Sequence, residues 1–385
     1  MTQDATGSAA GRSAARLAEL TTLRVGGPAR DLVEATTEAE LVDAVRAADA
    51  SGTPLLVLGG GSNLLVADAG FDGVVVRDLR RGIDATADSA CAGANVTVPA
   101  GQDWDEVVAT AVTEGWAGVE ALSGIPGSTG ATPVQNVGAY GQEVAETLAS
   151  VRVYDRHERR VRMLAVGELG LGYRTSVLKR SRTDPADGAG RTWEPSGRYV
   201  VLEVSFQMRL ASLSAPVRYA ELARHLDVPL ETRVPAAEVR DAVLALRGGK
   251  GMVLDLADHD TWSAGSFFTN PILPTAEADR LLPEDAPRYP VTDHASLGRS
   301  AVSVPVVEGV VKTSAAWLIS RAGFEKGFGA PGPATLSTKH ALALTNRGAA
   351  TAHDLLALAR TVRDGVRETF GVTLEPEPVL VGVSL

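Results

Sequence analysis

LSGIPGSTGATPVQNVGAYG, residues 122–141, has the pattern of neither a helix nor an ordinary strand. Its apolar side chains stand singly among Gly, Ser and Thr, so no 3.6- or 2.0-residue period is sustained and irregular backbone is expected. Gly127, Gly130, Gly138 and Gly141 admit positive φ and close approach of a ligand. Ser128, Thr129, Thr132, Gln135 and Asn136 offer hydrogen bonds, and Tyr140 closes the stretch. The combination suits an uncharged, concave bed for a large cofactor. A structural loop is the alternative reading, although structureless loops of this length are uncommon unless functional.

A second glycine stretch lies upstream. Leu55 to Leu58 form a short apolar run that breaks into Gly59, Gly60, Gly61, Ser62 and Asn63, the pattern of a buried strand ending in a turn. Successive N–H groups in such a turn can form a nest for phosphate oxygens. Leu64 stands where a dinucleotide fingerprint needs its third glycine, and no Gly-Lys-Ser/Thr follows for a P-loop.

In this order and spacing the two stretches resemble the flavin-binding half of the UDP-N-acetylenolpyruvoylglucosamine reductase (MurB) family. The resemblance extends through TLRVGGPA (22–29), GYRTS (172–176), AGSFFTNP (264–271) and LEPEP (374–378), covering nearly all the chain after the first twenty residues. It implies an α+β protein. An FAD-binding PCMH-type, vanillyl-alcohol-oxidase-like module of two subdomains (19–80 and 81–212) would be followed by a C-terminal α/β substrate-binding region (213–370) and a segment (371–385) returning to the active site.

Bulk properties agree with such an enzyme. The formal charge of −10 argues against a general nucleic-acid surface, and anionic ligands would need local basic groups. A single cysteine, Cys91, excludes an internal disulfide, and six scattered histidines give no metal cluster. No apolar run approaches a membrane span and no signal-peptide pattern opens the chain, so a cytoplasmic protein is expected. Residues 1–18 have few apolar anchors and read as a mobile tail.

Thr37 with Glu40 forms a capping-box pattern before a helical stripe that ends at Gly52, and Asp103 with Glu106 opens a second helix. Val204, Phe206, Met208 and Leu210 alternate as a strand, and residues 181–198 read as an exposed loop. Further helices are expected from Pro235 to Gly248, after Thr313, and after Thr351 with Asp354. Gly327, Gly329 and Gly332 match Gly-x-Gly-x-x-Gly, but Pro331 and Pro333 remove donors and no dinucleotide helix follows.

From its residues alone, GYRTS reads as a surface turn and AGSFFTNP as a buried one. The resemblance implies that Arg174 and Glu377 together stabilise the enolate-like intermediate and that Ser266 protonates the substrate carbon. Glu375 and Glu377 share parity in a proline-stiffened extended segment, so both could face one side. Pro378 stands where the family usually has an aliphatic residue. The resemblance also assigns Tyr173, Tyr219, Arg247, Lys250, Asn270, Tyr289 and Lys312 to the substrate, with Tyr289 on a loop that closes over it.

The implied activity is that of a UDP-N-acetylmuramate dehydrogenase: NADPH reduces FAD, and hydride then passes to UDP-N-acetylglucosamine enolpyruvate to make a peptidoglycan precursor. Covalent attachment of FAD in related folds uses His or Cys; no histidine precedes His157 and Cys91 lies outside both glycine stretches, so dissociable FAD is expected. A monomer is expected as well. Two other functions fit the residues. One is an oxidase of the same cofactor fold, the other a sugar-nucleotide sensor without turnover.

Overall fold

The computed structural model describes residues 15–89, 93–292 and 305–385. Cys91 and residues 1–14 of the expected tail lie outside the described residues. Residues 15–18 correct the tail expectation. Leu17 is fully buried beside Val66 and Val381, and its N–H donates to the Gly27 carbonyl at 3.0 Å. One apolar anchor with a backbone partner suffices to hold that turn in place.

The first layer comprises β1 (Ala29–Ala35), α1 (Glu38–Ser51), β2 (Leu55–Leu58), β3 (Leu64–Val66) and β4 (Phe71–Asp78). Thr37 and Glu40 make the reciprocal capping box of α1, and Gly52 ends it at φ +66. Strands pair in the order β1-β4-β2, all parallel.

A second layer is antiparallel. It contains β5 (Asp84–Ser89), β6 (Gly93–Pro99), β7 (Leu148–Asp155), β8 (Arg160–Ala165) and β9 (Tyr199–Leu210), ordered β8-β7-β9-β6-β5. The alternating Val204, Phe206 and Met208 pack with Trp104, Val107 and Val108 of α2 (Trp104–Thr113), whose cap Asp103 accepts the Glu106 N–H at 3.1 Å. Val200 and Leu202, at the start of the same strand, instead join Leu41 and Val45 of α1. One strand thus serves both layers and fixes the cleft between them.

Residues 181–198 match the expected exposed loop only in part: Thr183–Ala186 and Gly190–Thr192 are exposed, but the segment is anchored. Ser181 and Trp193 are buried, and the Trp193 ring lies 4.8 Å from the Arg156 guanidinium and 3.9 Å from that of Arg191. Ser196 Oγ accepts the Val57 N–H at 2.7 Å and donates to Leu55 O at 3.0 Å, satisfying the free edge of β2. A polar composition concealed these anchors. Ser196→Ala should therefore lower stability by about 1–2 kcal/mol, measurable as an earlier unfolding midpoint with unchanged secondary structure.

The C-terminal core is built on α7 (Ala352–Phe370), introduced by the Thr351–Asp354 capping box; α3 to α6 are Val177–Arg180, Ala220–His225, Ala236–Gly249 and Ala315–Arg321. Leu355, Ala359, Val362 and Val366 bury one stripe of α7 against Phe267, Phe268, Leu318 and Leu336. Ser314 caps α6 by accepting the Trp317 N–H at 3.2 Å, not the expected Thr313. Thr313 is fully buried and donates to Pro287 O, leaving the next hydroxyl to cap. Within the region expected from residue 213 onward, Val239, Ala242 and Val243 of α5 pack on Ala121 of the cofactor half, and Arg240 forks onto Asp105 at 2.7 and 2.8 Å. Finally β10 (Val379–Val381) pairs parallel with β3, bringing the chain end back to the first layer. Among the described residues no helix is long and apolar enough to cross a membrane.

Candidate active site

The two glycine stretches meet. A Cβ on Gly60 would lie 2.5 Å from the Gly127 backbone, and one on Gly61, at φ +65, only 1.9 Å from Leu20 O. Ser62 Oγ donates to Pro126 O at 2.8 Å and ties them together. The result is one wall of a cavity lined by Gly59, Gly60, Gly61, Ser62, Asn63, Gly127, Ser128, Thr132, Gln135 and Gly138. The backbone N–H groups of Gly59, Gly60, Gly61 and Ser62 find no acceptor among the described residues. Open donors on an uncharged turn fit a phosphate-bearing cofactor.

Two residues expected in this bed stand elsewhere. Asn136 is buried, donates to Glu143 Oε2 at 2.6 Å and Gly172 O at 3.3 Å, and accepts the Ala145 N–H at 3.1 Å. Its amide is spent on holding the loop. Tyr140 packs edge-to-face on Tyr219 at 5.4 Å with Lys250 Nζ 5.5 Å from its ring, on the side of the expected substrate residues.

Arg174, Arg247, Ser266 and Glu377 line the same cavity as the glycines. Tyr173 and Arg174 are the central residues of a tight turn in which Gly172 and Thr175 exchange backbone hydrogen bonds, with Arg174 at φ +54. A left-handed non-glycine residue costs about 1–2 kcal/mol, and the neighbourhood offsets it. Arg174 Nε lies 3.1 Å from Glu377 Oε1, Nη2 donates to Gly138 O at 3.2 Å, and Lys179 Nζ donates to Arg174 O at 3.1 Å. Burial pulls the pKa of this guanidinium down, but the Glu377 carboxylate beside it holds it above the ordinary arginine value.

Glu377 is itself fixed on both sides. Its N–H donates to Phe267 O at 2.8 Å, the next available N–H, from Val379, donates to Asn63 O at 3.0 Å, and Gln135 Nε2 reaches Glu377 Oε1 at 3.3 Å. Pro378 falls between these two bonds, where no donor is required. Glu375 does not line that cavity; it is exposed and borders a different pocket, so the expected common face is not formed. Pro376 bridges to Phe268, and the backbone bends at Glu377 and Pro378.

Ser266 follows Gly265 (φ +72) and precedes the buried pair Phe267 and Phe268, whose rings meet edge-to-face at 5.1 Å. Its hydroxyl has no hydrogen bond among the described residues and faces the cavity. Beside it Asn270 donates its N–H to Tyr173 Oη at 3.2 Å and accepts the Ala315 N–H at 2.9 Å. Lys312 Nζ stands 4.3 Å from the Tyr173 ring, and Lys312 and Tyr289 exchange backbone hydrogen bonds. Tyr289 and Tyr219 are both exposed, and Lys250 pairs with Glu221. Tyr173, Asn270, Tyr289 and Lys312 form one group; Tyr140, Tyr219 and Lys250 form a second.

Arg247 is nearly buried, its Nε has no partner, and burial lowers its pKa to about 10, so it remains cationic near neutrality. Lys179 and Arg182 also line the cavity although motif reading passed over them. Lys179 Nζ links Arg174 O to Gln135 Oε1 at 3.4 Å. Its position one turn beyond Ser176 was the available signal.

A profile described as FAD binding domain matches residues 29–163, and one described as UDP-N-acetylenolpyruvoylglucosamine reductase, C-terminal domain, matches residues 257–381. A relative from Nocardia farcinica named UDP-N-acetylenolpyruvoylglucosamine reductase is 57% identical over 97% of this chain and 90% of its own length. The chain belongs to the UDP-N-acetylenolpyruvoylglucosamine reductase family. It is accordingly a flavin-dependent oxidoreductase with an FAD-binding half and a family-specific C-terminal half. A Saccharopolyspora erythraea relative of the same name is 55% identical over 96% of this chain and 95% of its own. The crystal structure of the MurB reductase from Thermus caldophilus superposes with a TM-score of 0.60 at 26% identity, covering 95% of this chain and 97% of that one.

Proposed function

We propose that this reductase converts UDP-N-acetylglucosamine enolpyruvate to UDP-N-acetylmuramate with NADPH as reductant. The observation that carries the reading is the convergence on one cavity of the Arg174–Glu377 pair, the uncommitted Ser266 hydroxyl and the open N–H groups of the glycine turn. FAD, held by the Gly59–Ser62 turn and the 127–138 bed, would supply the hydride-transfer chemistry between NADPH and the terminal vinyl carbon.

The protein's own residues do the rest. As negative charge develops on the adjacent carbon and its carboxylate, Arg174 stabilises it, with a guanidinium already oriented by Glu377 and by the Gly138 carbonyl. Ser266 gives its hydroxyl proton to that carbon, completing addition of a hydride and a proton across the double bond. Arg247, a buried cation with an unsatisfied N–H, suits an anionic group of the substrate, and Lys312, Asn270 and Lys250 extend the polar lining outward. Tyr219 and Tyr289 present exposed rings at that side.

Anaerobic stopped-flow absorbance at the flavin band tests the whole scheme. NADPH should bleach the protein, and the enolpyruvyl sugar nucleotide should restore the colour rapidly. Recovery that needs only oxygen would turn the assignment to an oxidase. A colourless protein that FAD cannot reconstitute would leave a sugar-nucleotide sensor.

A further inference from the structure

Arg182 lies in the main cavity, three residues after Lys179, and its backbone is held by bonds to Lys179 O at 3.2 Å and from Trp193 N–H at 2.9 Å. Its Nε is buried without a hydrogen-bond partner, and no carboxylate among the described residues comes within ion-pair distance of its guanidinium. Glu194 is the nearest acidic influence on it. Two cations three residues apart on one short segment repel each other, and Lys179 Nζ is already committed to Arg174 O and Gln135 Oε1. Arg182 is half-buried, and a buried guanidinium N–H without an acceptor costs stability that an anionic ligand would recover.

The surroundings say which ligand. The open N–H groups of Gly59 to Ser62 line the same cavity, and segment 181–198 is pinned across the cleft by Ser196 on β2. Arg182 also borders a second cavity, but Glu194 and Glu375 stand in that wall together with Arg363, so carboxylates are already at hand there to oppose an anion. We infer that Arg182 is a cofactor-binding residue that pairs with the diphosphate of FAD, in the cavity it shares with the Gly59–Ser62 turn, and that segment 181–198 holds it there. The inference rests on the cavity being the FAD site and deepens that reading.

Flavin binding by the apoprotein decides it, followed by quenching of flavin fluorescence with FAD and with riboflavin, which lacks phosphate. Arg182→Gln should weaken FAD about 10- to 100-fold, the loss of a charge-assisted pair, while riboflavin affinity stays within about twofold. Arg182→Lys, which keeps the charge and loses the fork, should fall between. Unchanged FAD affinity in Arg182→Gln overturns the inference. So does equal loss of FAD and riboflavin in both variants, which would mark Arg182 as structural. Should Arg182→Gln fail to fold, the Arg182→Lys comparison of the two flavins decides alone. Failure of the wild-type apoprotein to bind FAD would instead sink the cofactor site itself.

Discussion

Ser266→Ala is expected to bleach normally with NADPH and to recover its flavin absorbance slowly when the enolpyruvyl sugar nucleotide is added. The loss should be on the order of 10²- to 10⁴-fold, the usual contribution of a positioned general acid. Three features of the site support an effect confined to that step. The hydroxyl makes no hydrogen bond that its removal would break, the backbone on either side is held by Gly265 and the buried Phe267–Phe268 pair, and the cavity glycines are untouched. FAD content and thermal stability should therefore match the wild type. Ser266→Cys, which keeps a donor at the same position, should recover part of the rate. Equal slowing of both half-reactions would point to damage at the cofactor instead, and an unchanged second half-reaction would remove Ser266 from the chemistry.

Arg174→Ala and Glu377→Gln should each slow the second half-reaction by about 10²- to 10³-fold, the scale of one lost electrostatic stabiliser, and the double variant should be no worse than the poorer single. The reason is that Glu377 acts through Arg174. The two groups lie 3.1 Å apart, and Glu377 raises the pKa of the guanidinium and orients it at the cavity. Glu377→Gln preserves the shape and the Gln135 contact but removes the charge, so it separates orientation from packing. Arg174→Ala additionally leaves a carboxylate only 10% exposed without its cation and should lower the unfolding midpoint. Stopped-flow rates for the four proteins give the coupling directly; additive losses would mean that the two residues act independently.

Sequence by itself determined the parts whose cause is local. Thr37–Glu40 and Thr351–Asp354 are reciprocal caps because side chain and backbone within four residues suffice to make them. The alternation of Val204, Phe206 and Met208 buried one face of β9, and the isolated apolar residues of 122–141 announced irregular backbone. The ordered motifs located Arg174, Ser266 and Glu377, which the fold brings to one cavity.

What tertiary structure alone decided concerns contacts between segments far apart in the chain. The polar segment 181–198 looked like a solvated loop because its anchors, Ser196 on β2 and Trp193 between two arginines, are supplied by other elements. Asn136 and Gln135 are neighbours of similar chemistry, yet one amide is consumed by the loop and the other faces Glu377. Glu375 and Glu377 have the same parity, but the backbone bends at Glu377 and Pro378 before β10 pairs with β3, and only Glu377 meets Arg174. Which polar group remains free for a ligand depends on which partners folding brings within hydrogen-bond reach, and that is a property of the packed chain.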